Sequence, residues 1–136
     1  MTNKEYLQQA YRLDNLIDAK LEQITQLRAM AEKQTATLSA APVSGLQPHS
    51  RVENCMVKIV DLENEINRDI DRLVSLKRDI QQTISHIHNP DYRLLLELRY
   101  LNFKTWEQIA VQMHYSYRNI LYLHGKALEQ INKAQL

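Results

Sequence analysis

The sequence predicts an all-α protein: a long antiparallel coiled-coil helical hairpin followed by a three-helix head. Three observations carry this. Two long segments repeat apolar residues at steps of three and four. Only two Gly and three Pro interrupt 136 residues. No run of β-branched or aromatic residues alternates as a strand would.

The first segment spans residues 4–38, with Tyr6, Ala10, Leu13, Ile17, Leu21, Ile24, Leu27 and Ala31 on one stripe. A helix of that length would run roughly 50 Å and must bury its stripe, because propensity alone does not hold it in water. Residues 39–51 contain Pro42, Pro48 and Gly45 and read as a loop. The second segment, 52–88, carries Val52, Met56, Ile59, Leu62, Ile66, Ile70, Leu73, Leu76, Ile80, Ile84 and Ile87. Asp61, Glu65 and Asp69 form an acidic edge between these apolar positions, read as a wet face. Residues 1–89 therefore form a hairpin that serves as an oligomerisation stem. A lone hairpin buries only one side of each helix, so a homodimer or higher homo-oligomer is expected.

Asn89-Pro90 marks the boundary to a head at residues 90–136, with Asn89 as a cap and Pro90 in a first turn. The helix from Asp91 to Leu101 would pack Leu95, Leu98 and Tyr100 or Leu101 beneath the two helices after it. Thr105 opens the first of these, a short helix with Trp106, Ile109, Ala110 and Met113 on one side. After a break, Ser116 opens the second, with Ile120, Leu123 and Ala127 inward. Two amphipathic helices across so short a turn form a helix-turn-helix, whose second helix can enter a DNA major groove.

Charge gives this segment little help. Residues 1–89 carry a net −1 and residues 90–136 a net +2, so DNA binding would need a second copy or a protein partner. On the second helix, Tyr117, Arg118, Leu121 and Tyr122 face outward with Lys126. Arg118 suits guanine and Asn119 suits adenine, and Tyr117 and Tyr122 suit phosphates or thymine methyls. Lys104, Thr105 and Lys126 complete the candidate DNA-binding set. Arg99 is either a phosphate contact or a partner for Glu97 or Glu107.

The five histidines share no face and are expected in solvent or at helix ends. The single Cys55 excludes an intramolecular disulfide and a multi-cysteine zinc site. No catalytic set, phosphate loop, cofactor motif, signal peptide or membrane span is legible, so the expectation is a cytoplasmic protein, not an enzyme, with neither cofactor nor metal.

The run from Leu95 to Ile131 resembles region 4 of bacterial sigma factors. The match lies in Leu96, Leu98, Arg99, Tyr100, Thr105, Glu107, Ile109, Ala110, Ser116, Ala127 and Leu128. Over nearly the whole chain the arrangement is similar to short sigma-like transcriptional regulators of phages and prophages of Gram-positive bacteria. These resemblances imply a regulator that binds double-stranded DNA in the bacterial host cytoplasm. Two departures stand out. Met113-His114 replaces the family's Leu-Gly turn, and the second helix is poor in arginine. The alternatives are a phage DNA-packaging protein like a terminase small subunit, or an adaptor that binds RNA polymerase without reading DNA.

Overall fold

The structure is a computed structural model that describes the backbone of residues 1–40 and 47–135 and the side chains of residues 1–36 and 50–131. Among them are five helices and no strand: α1 (Asn3–Ala40), α2 (Gln47–Ser85), α3 (Pro90–Tyr100), α4 (Trp106–Met113) and α5 (Tyr117–Gln135). None of these helices is long and apolar enough to cross a membrane.

The all-α class expected from the sequence is what the chain adopts, with α1 and α2 packed along one another. The loop expected at 39–51 is shorter than the prolines suggested. Residues 39–40 and 47–51 are helical, and residues 41–46 lie outside the described residues. Pro48 is accommodated because it stands in the first turn of α2, where its missing N–H has no helical partner to lose. At the other end α2 stops at Ser85. Its chain tightens through Ile87 N–H donating to the Ile84 carbonyl at 3.0 Å.

Two compact units make up the chain, Asn15–Asp71 and Met1–Asp14 with Arg72–Leu136. In the first, the ionic partners run in opposite directions along the sequence. Lys20 meets Asp69 and Glu65, and Arg28 meets Glu63, so the helices are antiparallel. Ile17, Ile24, Ala31, Ile59 and Ile66 fill the seam.

That seam departs from the expected stripe at three places. Leu21, Met56 and Ile70 are exposed, while Lys20, Cys55 and Asp69 lie inward. Both choices satisfy a step of three plus a step of four between fixed neighbours, so spacing does not separate them. The structure takes the earlier residue each time. Lys20 Nζ donates to Asp69 Oδ2 at 2.6 Å and lies 3.3 Å from Glu65 Oε2. The Lys20 and Asp69 side chains are 16% and 10% exposed. The hydrogen bond to Asp69 raises the Lys20 pKa, burial opposes it, and Glu65 adds to the rise. Asp69 therefore belongs to the seam and not to a wet edge.

The second unit gathers α3, α4 and α5 with the first residues of α1 and the last turns of α2. Leu7 and Ala10 share one core with Ile80, Ile84 and Ile87, with Leu95, Leu96 and Leu98, and with Ile109 and Ile120. The Asn3 side-chain amide donates to the Leu128 carbonyl at 3.1 Å, joining residues 125 apart. Phe103, between α3 and α4, has a left-handed φ of 58°. Its ring is held by the edge of Tyr11 at 5.6 Å and by Lys77 Nζ at 4.6 Å.

Candidate nucleic-acid interface

Each helix of the three-helix set is locally specified. Asn89 Oδ1 accepts from the N–H groups of Asp91 and Tyr92 at the start of α3, with Pro90 in the first turn. At α4, Thr105 Oγ1 accepts from Gln108 N–H at 3.2 Å, and Gln108 Oε1 accepts from Thr105 N–H at 2.9 Å. At α5, Ser116 Oγ accepts from Asn119 N–H at 3.1 Å. Between α4 and α5, His114 takes φ 61° and ψ 37°. This is the left-handed conformation in which the Leu-Gly turn would place glycine. Tyr115 donates its hydroxyl to Asp91 Oδ2 at 3.0 Å, which ties the turn to the start of α3 and raises the tyrosine pKa.

Beneath α5 lies a polar and aromatic set that spacing alone does not assemble. His124 is buried at 8% exposure, contrary to the expectation of a solvated or helix-end histidine. The Tyr100 hydroxyl and His124 Nε2 are hydrogen-bonded at 2.6 Å. Trp106 presents itself to the imidazole at 4.6 Å and 62°. Burial, with the positive charges of Lys4 and Arg99 nearby, pulls His124 down to about 4. Burial pushes Tyr100 up to about 12, with Arg99 opposing. The histidine is thus neutral at pH 7 and suited to a core. The signal in the sequence is its spacing: His124 stands four residues after Ile120 and three before Ala127, both fully buried.

Arg99 takes neither expected acidic partner. Its guanidinium lies 4.2 Å from the Trp106 ring, and Nη1 donates to the Lys104 carbonyl at 3.0 Å. The indole face and a free carbonyl offer desolvated, planar contacts that a solvated carboxylate does not. Glu97 instead accepts from Gln81 Nε2 at 3.2 Å.

The candidate DNA-binding residues fall into two groups. Tyr117, Arg118, Leu121 and Tyr122 are exposed together on α5, within about one and a half turns. Lys126, one turn further, reaches back with Nζ 5.6 Å from the Tyr122 ring. Asn119 is half-buried. Thr105 is exposed but spends its hydroxyl on the α4 cap, and Lys104 is half-buried beside it. Val111 on α4 and Tyr115 in the turn are also exposed, and neither was expected in the set from sequence. Among the described residues no three His, Cys, Asp or Glu side chains come together as a metal site.

No curated protein and no solved structure matches the chain. The family model described as a protein of unknown function, DUF1492, matches residues 33–132, and the chain belongs to that family.

Proposed function

We propose that this chain is a sequence-specific, double-stranded-DNA-binding regulator of transcription, acting as a homodimer and encoded by a phage or prophage. One observation carries the reading. A Thr105-capped α4 and a Ser116-capped α5 meet over a left-handed turn at His114, and α5 offers Tyr117, Arg118, Leu121 and Tyr122 to solvent from its first turns. In helix-turn-helix readers the start of the second helix approaches the base edges. The resemblance of Leu95–Ile131 to sigma region 4 supports the same assignment.

The dimer is supported by what the seam leaves outside. Met56, Val57, Val60 and Ile70 are exposed on α2 of the Asn15–Asp71 unit, an apolar surface suited to a second copy. A dimer also answers the weak charge of the head, since two copies double the phosphate contacts. Arg118 would read guanine through O6 and N7, with Lys126 and Lys104 near phosphates.

The test is a mobility shift with duplexes enriched from a random pool, alongside the mass of the protein in solution. A dimer that shifts the enriched duplex is expected, and Arg118→Ala should weaken that binding by about 1–3 kcal/mol. Absence of DNA affinity even at low salt would overturn the reading and favour a polymerase-binding adaptor. A ring-sized oligomer would favour DNA packaging.

A further inference from the structure

The outer face of α5 has an unusual chemistry for a groove reader. From Tyr117 to Tyr122 the exposed side chains other than Arg118 are apolar or aromatic: Tyr117 is 47% exposed, Leu121 40% and Tyr122 62%. Between Tyr117 and Ala127 the only cations are Arg118 and Lys126, and Lys126 is drawn onto the Tyr122 ring. Arg99 and Lys77, elsewhere in the same unit, lie on the Trp106 and Phe103 rings. The face thus offers one guanine-reading fork beside one aliphatic side chain and two phenol rings.

A second observation lies on the same face. Gly125 is exposed, four residues after Leu121 and three after Tyr122. A Cβ built there meets nothing within 4 Å, and its φ lies outside the left-handed range. Neither packing nor backbone conformation within the chain calls for glycine, and glycine is disfavoured against alanine inside a helix. Its bare backbone instead lets an outside surface come closer to α5 at this point.

Within the DNA-reading assignment above, we propose that α5 recognises its site chiefly through thymine C5-methyl groups. Tyr117, Leu121 and Tyr122 supply the contacts, and Gly125 permits close seating of the helix. The C5-methyl is the apolar feature that distinguishes thymine in the major groove. Apolar contact requires heavy atoms within about 4.5 Å, so short side chains such as Leu121 read it only from a helix seated deeply. Arg118 then marks a single guanine beside a thymine-rich step.

The experiment uses the full chain and the duplex enriched from a random pool. Each thymine in that duplex is replaced in turn by deoxyuridine, which removes only the methyl group. T·A pairs should dominate the enriched site, and deoxyuridine at each contacted position should weaken binding by about fourfold. In Leu121→Ala, which truncates an exposed side chain, one of those positions should become insensitive to the replacement. Gly125→Ala should melt at a higher temperature than the parent yet bind the same duplex several-fold more weakly. An enriched site dominated by guanine and indifferent to deoxyuridine would overturn the inference while leaving DNA reading intact. Equal binding by Gly125→Ala would overturn the close seating. Failure to enrich any duplex at low salt, with recovery of RNA polymerase on the protein, would overturn both readings.

Discussion

His114 shows how a single residue ends one helix shortly before the next begins. Its left-handed φ of 61° closes α4, and its N–H points back at the Ala110 and Val111 carbonyls. A side chain with a Cβ is disfavoured there, which is why glycine is common at this position of a helix end. The imidazole is exposed and makes no hydrogen bond or ring contact among the described residues. His114→Gly is therefore expected to stabilise the protein by about 0.5–1 kcal/mol, read as a higher denaturation midpoint at an unchanged slope. A lower midpoint would overturn the assignment of backbone strain to this residue. The turn itself was legible, because the Leu-Gly pattern places a left-handed residue at this position. The second left-handed residue, Phe103, was not. Its conformation is held by Tyr11 and Lys77, which are far away in the sequence.

At the scale of the helix, the seam between α1 and α2 turns on an ion pair placed where an apolar residue was expected. Between Ile17 and Ile24 either Lys20 or Leu21 fits the spacing, and between Ile66 and Leu73 either Asp69 or Ile70 does. Apolarity favours Leu21 and Ile70. The structure puts Lys20 against Asp69, and the two choices stand or fall together, because each inward charge needs the other. Such a pair can specify register, since sliding one helix would leave a seam charge without its partner. Lys20→Met alone should lower the melting temperature by leaving Asp69 without its cation, and Lys20→Met with Asp69→Met should recover it. Additive losses in a double-mutant cycle would show that the two residues are not coupled. The helices themselves were readable from composition and period, but the phase of the seam was not.

At the scale of the whole molecule, stability against pH should report the buried His124. Its pKa in the folded state, about 4, lies below the ordinary value of 6.5. Above pH 6.5 the imidazole is neutral whether the chain is folded or not, and it adds no pH dependence. Between 6.5 and about 4 the unfolded chain takes up a proton that the folded chain refuses. Stability is therefore lost as pH falls through that window, with a slope that one proton limits to about 1.4 kcal/mol per pH unit. His124→Gln should flatten the acid side of a plot of melting temperature against pH. An identical slope in the variant would assign the effect to other groups. The unit that holds His124 is also assembled from distant parts of the chain, since Met1–Asp14 and Arg72–Leu136 form one compact body. The sequence placed a division at residues 89 and 90, where Pro90 restarts the helix. Compactness brings in both ends of the hairpin, because Leu7, Ala10, Ile80 and Ile84 share a core with α3, α4 and α5.

Local spacing was enough to establish that the chain is helical, where α3, α4 and α5 begin and which residues cap them. Those features depend on side chains within three or four residues of the backbone they serve. Spacing also picked out Tyr117, Arg118, Leu121 and Tyr122 as an outward face, because Ile120 and Ala127 define the inward one. Packing across the helices settled which of two equally spaced residues enters the α1–α2 seam, where Arg99 finds its partners, and that His124 is buried beside Tyr100 and Trp106. Each of these depends on what lies across a helix interface, and desolvation and pairing there outweigh the preference of the residue alone.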